Sequence, residues 1–143
     1  MRLFLDTSVL LAASGSEKGA SREVFRLAHV HEWRLLVTPY VIEEVLTNLP
    51  NLGHQATADW AKLRPDLALV DDVLTIDRPA VFGPAKDRPI LFSALAWSEV
   101  LLTLDRSDFG SSLGGAFYGL TIVTPGMFLE RERAAGRLRE RPH

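Results

Sequence analysis

The 143-residue chain has no cysteine. Disulfides, thiol nucleophiles, cysteine-held zinc and iron–sulfur clusters are excluded with it. No stretch approaches the roughly 20 consecutive apolar residues that a membrane-spanning helix needs, so no membrane association is expected. Met1-Arg2 followed by Leu3–Ala13 has the outline of a short leader, but ionised Asp6 sits in the middle of it and is costly to insert. A buried strand followed by a turn accounts for the same letters, and a cytoplasmic location is expected. An excess of positive charge is also missing: 16 Lys and Arg stand against 18 Asp and Glu, a net charge of −2. A polyanionic partner must then be attracted locally, not by bulk charge.

Other signatures are missing as well. Gly15–Ala20 contains glycines but lacks the Lys-Ser/Thr ending of a phosphate-binding loop. His29 and His31 are two apart on a helical stretch and face different directions, and His54 and His143 are isolated. Trp33, Trp60 and Trp97 fall at helical apolar positions and read as core residues. Phe117-Tyr118, in a glycine-rich loop, is the better candidate for base stacking. There is no internal repeat, low-complexity tract or linker, so residues 1–143 are expected to form one domain, with a charged helix end and tail over 130–143.

What is present is an ordinary globular composition, 47% hydrophobic, arranged as strands alternating with helices. Leu3-Phe4-Leu5 is a short apolar run suited to a strand covered on both faces. A helix over Val9–Ala13, a second over Ala20–Trp33 and a strand at Arg34–Val37 follow. Thr38-Pro39 opens a helix, Thr as cap and Pro preorganised for the first helical position, and that helix ends near Pro50. Gly53–Leu63 is helical, Leu67–Val70 a strand, and a Pro/Gly-rich loop surrounds Pro79–Pro84. Asp87–Trp97 is helical, Val100–Leu104 and Leu120–Val123 are strands, and Pro125 opens the last helix. The alternation predicts an α/β fold, a three-layer α/β/α sandwich on a mostly parallel central sheet.

The placement of acids is the informative feature. Asp6 and Asp105 each follow a strand directly, and in a parallel sheet the carboxyl ends of the strands share one edge where sites form. Glu43-Glu44 lie on the helix after the second strand, Asp87 starts a later helix, and Asp108 can curl back toward Asp105. Each acid taken alone reads as a cap, a turn residue or a solvated group. Adjacent helical residues point about 100° apart, so one of Glu43 and Glu44 faces solvent. Taken together, several carboxylates in one crevice repel one another, and a divalent cation relieves the repulsion. An all-oxygen donor set suits Mg2+ or Mn2+, either of which would also draw a phosphate backbone to a near-neutral protein.

Four stretches in order resemble the PIN domain, the metal-dependent ribonuclease fold of VapC-type toxins and related nucleases. They are Leu3–Leu10 with its first acid, Val37–Leu46 with the second, Asp87–Ala96 opened by the third, and Leu101–Phe109 with the fourth. The ending Ile122–Leu129 is similar to the family's final strand and helix. The family places its second acid just before an aliphatic residue, which selects Glu44. Its first turn often carries Asn where this chain has Ser8. The resemblance implies that Asp6, Glu44, Asp87 and Asp105 are catalytic and hold one or two Mg2+ or Mn2+ ions, directly or through waters, with Asp108 as a further ligand or an outer-shell group. It implies hydrolysis of RNA phosphodiester bonds by a metal-activated water. Arg88 and Arg106 would contact phosphates, and Thr7, Ser8 and Thr103 would orient the acids by hydrogen bonding. An antitoxin protein and a second copy of the chain are the implied partners.

Three other readings compete. A haloacid-dehalogenase-like phosphatase also places an Asp after its first strand, but wants a second Asp where Ser8 stands. A receiver-like signalling module carries its phosphoryl-accepting Asp on a later strand than Asp6. A non-catalytic PIN-like RNA- or protein-binding module would need none of the acids.

Overall fold

A computed structural model describes residues 1–74, 88–109 and 112–138 of the chain. Its sheet holds β1 (Arg2–Leu5), β2 (Arg34–Val37), β3 (Leu67–Leu69), β4 (Val100–Leu102), β5 (Gly115–Phe117) and β6 (Leu120–Val123). Their spatial order is β3-β2-β1-β4-β6-β5. All pairings are parallel except that of β5 with β6. The helices are α1 (Thr7–Gly15), α2 (Ala20–His31), α3 (Pro39–Asn48), α4 (His54–Leu63), α5 (Arg88–Trp97), α6 (Arg106–Phe109) and α7 (Pro125–Ala134), with 3-10 turns at Leu49–Leu52 and Arg64–Asp66.

The parallel pairing follows from the crossovers, since parallel neighbours need a long connection and the helices supply it. Successive strand residues point to opposite faces. Leu3, Phe4 and Leu5 are all fully buried, and so are Leu101 and Leu102, so the central strands are covered on both faces. That is the α/β arrangement expected from the unbroken apolar runs. On one side α1 packs against α2, α3 and α4, and α2 against α7; α5 lies on β1 and β4. Each large side chain buried this way contributes roughly 1.5–3 kcal/mol. Trp33 and Trp60 belong to the core, and Trp97 is half-buried with its indole N–H on the Asp71 carbonyl at 2.9 Å.

The helical side is fastened by a buried ion pair. The Arg22 guanidinium meets Asp59 at 2.9 Å and also donates to the Ala13 carbonyl at the end of α1 at 2.8 Å. Gln55 donates to the other Asp59 oxygen. Hydrogen bonds from Arg22 and then Gln55 hold the Asp59 carboxyl below its ordinary range. A depressed folded value contributes stability above the ordinary value of 3.8, which is lost as pH falls through the folded value. Arg22→Met is therefore expected to lower the melting temperature by a few degrees at neutral pH. The gap from wild type should narrow in acid below that value, as scanning calorimetry across pH would show.

Several local features differ from the sequence reading. Helix α1 begins at Thr7 instead of Val9, because Asp6 caps it: its carboxylate accepts the Thr7 N–H at 2.8 Å. Thr38 does not cap α3. Its hydroxyl is buried with no hydrogen-bond partner among the described residues, and Asp72, from the segment after β3, accepts the Tyr40 N–H at 3.1 Å instead. The glycine-rich stretch around Phe117-Tyr118 is not a loop but a hairpin. Phe117 pairs with Leu120 across a two-residue turn in which Tyr118 (φ 47°) and Gly119 (φ 84°) are both left-handed. Two positive φ values match the right-handed twist of the flanking strands. The Phe117 and Tyr118 rings pack edge to face at 4.8 Å, so the proposed stacking pair is engaged with itself.

Candidate functional site

The ends of β1 and β4 are neighbours, paired at Leu5 and Leu102, and the Asp6 N–H continues the ladder onto the Leu102 carbonyl at 3.0 Å. This brings Asp6 and Asp105 to one edge, as the parallel topology requires. Strand β4 ends at Leu102, two residues short of the expected Leu104. Thr103 turns its hydroxyl to Asp6 at 2.7 Å and accepts the Asp105 N–H at 3.1 Å. Ser8 does the same from the other side, donating to Asp6 at 2.7 Å and accepting the Leu104 N–H at 3.0 Å. Asp6 is thus both the cap of α1 and the centre of a hydroxyl network; the two roles coexist.

Asp6 is 4% exposed. Burial pushes its carboxyl above the ordinary carboxylate value; hydrogen bonds from Ser8, Thr103 and Thr7 oppose the rise, and the charge of Asp105 adds to it. The two acids are therefore close enough to repel. Asp105 itself is half-buried at the start of α6.

Glu44 enters through α3. It is half-buried while Glu43 is exposed, as two adjacent residues about 100° apart on a helix require. The Thr7 hydroxyl donates to Glu44 Oε1 at 2.8 Å, so the residue after Asp6 fixes the acid on the next element. Glu44 also lines a cleft of about 290 Å3 with Tyr40, Glu43, Thr47 and Asn48. Thr7, Ser8 and Thr103 thus all hydrogen-bond to site acids, Thr7 to Glu44 and the other two to Asp6.

Asp87 and the side chains of Arg88 and Asp108 lie outside the described residues. Arg106 is exposed at the first position of α6. Among the described residues no group of three or more His, Asp or Glu side chains comes together to hold a metal ion. The described part of the site is the repelling pair Asp6 and Asp105, with Glu44 linked to it through Thr7. Its donors are hard oxygens, and this chemistry fits Mg2+ or Mn2+. Away from this edge, His29 lies 3.1 Å from Asp66 and His31 stacks on Trp33, so the histidines are engaged elsewhere.

Asp72 is a feature that the sequence reading passed over. It lies three residues beyond the end of β3, whereas Asp6 follows β1 directly. The chain matches no protein-family model, and no curated protein sequence matches it. Among the described residues no helix is long and apolar enough to cross a membrane.

Proposed function

We propose that the protein is a PIN-like, Mg2+- or Mn2+-dependent ribonuclease that hydrolyses RNA phosphodiester bonds. The observation that carries this reading is the buried Asp6 carboxylate at the end of a central strand, set beside the like charge of Asp105. A desolvated carboxylate beside a like charge would be stabilised by a bound divalent cation. Asp6 and Asp105 would hold it, with Glu44 reaching it directly or through water, and Asp87 and Asp108 completing the set.

The bound metal would supply a water nucleophile at neutral pH and neutralise charge on the phosphoryl group. The chain's own residues do the rest. Thr7 holds Glu44, Ser8 and Thr103 hold Asp6, and Thr103 also carries the backbone of Asp105. Arg106, exposed and next to Asp105 in the chain, would meet a phosphate of the substrate. The same reading makes an antitoxin and a second copy of the chain the partners, and the cytoplasm the location. An open groove of about 430 Å3, lined by Pro39, Ile42, Leu46 and Leu69 together with Glu43, Thr47 and Arg64, would offer such a partner a surface.

The test follows the nucleophile. An end-labelled RNA panel is incubated with Mg2+, Mn2+ or EDTA, beside strands carrying a single 2′-deoxynucleotide at the mapped cut site. Water attack predicts metal-dependent cleavage that survives the 2′-deoxy substitution and leaves no cyclic phosphate. Cleavage that persists in EDTA and ends in a 2′,3′-cyclic phosphate would overturn the reading. Metal-dependent release of phosphate from a phosphomonoester, with RNA left intact, would favour the phosphatase instead.

A further inference from the structure

Two backbone N–H groups fix the direction of the hydrogen bonds that Ser8 and Thr103 make to Asp6. Leu104 N–H points to the Ser8 hydroxyl oxygen at 3.0 Å, and Asp105 N–H to that of Thr103 at 3.1 Å. A backbone N–H only donates, so each hydroxyl accepts there and has its own proton left to give. Both protons go to one atom, Asp6 Oδ2, at 2.7 Å in each case. A carboxylate oxygen has two lone-pair sites, and those of Oδ2 are filled. Oδ1 takes the Thr7 N–H at 2.8 Å and keeps one site open.

We infer that Ser8 and Thr103 are positioning residues that turn Asp6 so that Oδ1 alone is presented to a divalent cation. The same two hydroxyls hang the Leu104-Asp105 backbone on that carboxylate, and so set where the second acid stands. This rests on the proposed metal-dependent reading and adds which oxygen binds and what orients it. Ser8 matters as much as Thr103, although one lies two residues after Asp6 and the other 97 away in sequence. Removing either hydroxyl strands a backbone N–H and frees a lone pair on Oδ2, so the carboxylate can rotate. Partners of this kind typically change metal affinity by about 10–100-fold.

The experiment titrates Mn2+ alone into the full chain by calorimetry, with wild type, Ser8→Ala, Thr103→Val and Thr103→Ser, and melts each protein in EDTA. Ser8→Ala and Thr103→Val are expected to weaken Mn2+ binding about tenfold. Thr103→Ser should bind like wild type although it loses a buried methyl group and melts lower, so affinity and stability part ways. If wild type binds Mn2+ and Ser8→Ala and Thr103→Val bind equally well, the assignment is overturned and the metal site stands. If Thr103→Ser loses as much affinity as Thr103→Val, the role of Thr103 is packing and the assignment is overturned. If wild type binds no Mn2+, the nuclease reading falls and this inference with it.

Discussion

Asp6→Asn is expected to reduce metal-dependent RNA cleavage at least about a hundredfold, while the protein stays folded. The substitution keeps the shape of the side chain and removes its charge. Two consequences follow at the site. A neutral amide oxygen is a far weaker partner for a hard cation than a carboxylate. The amide NH2 must also face either the Ser8 and Thr103 hydroxyls or the Thr7 N–H, all of which point donors at Asp6. A donor facing a donor costs about 1–3 kcal/mol. Against this, the variant no longer buries a charge that desolvation and Asp105 both disfavour. The two effects oppose, so the melting temperature in EDTA should move by only a few degrees while activity collapses. Circular dichroism melts beside single-turnover cleavage separate the two. A variant that cleaves normally would show that Asp6 serves only as the cap of α1.

The second large effect lies in the fold. Phe4→Ala is expected to destabilise the protein by about 3–5 kcal/mol. Phe4 is fully buried in β1, opposite Leu36 of β2 and Leu101 of β4 in the register. Truncation removes the ring's burial energy and leaves a cavity that two flanking parallel strands cannot close. For a chain of 143 residues that corresponds to a fall of about 10 °C or more in melting temperature. The Phe4 ring takes no part in the hydrogen bonds that hold the Asp6 carboxylate, so cleavage per folded molecule should remain. Chemical denaturation gives the loss, and activity below the transition checks that the site survives. The pair of variants thus dissociates in opposite directions, activity without stability and stability without activity.

The contrast also explains what the sequence could and could not reveal. Arg34–Val37 and Leu120–Val123 match the structure residue for residue, because an apolar run buried on both faces has abrupt polar ends. The shared edge of Asp6 and Asp105 was legible for a topological reason: parallel strands put their carboxyl ends together. The choice of Glu44 came from the resemblance, and the bond it accepts from the Thr7 hydroxyl became visible only in the fold. What stayed hidden depends on partners distant in the chain. Thr38 reads as a cap by local chemistry, and only the return of the chain at Asp72 displaces it. Strand β5 was invisible because Gly115-Ala116-Phe117 has little strand propensity and pairs only as an edge, through a turn whose Tyr118 adopts a conformation usual for Asn or Gly. The roles of Ser8 and Thr103 were anticipated as hydrogen bonding. That both protons reach the same oxygen needed the geometry.

The central claim is that the acids at this edge hold a divalent metal and that the metal carries the cleavage. The most direct measurement follows single-turnover RNA cleavage by wild type as free Mn2+ is lowered with EDTA and then restored, with Mn2+ occupancy read on the same samples. The rate is expected to fall to zero in EDTA, to return on adding Mn2+, and to track occupancy throughout. A rate indifferent to Mn2+ occupancy would contradict it.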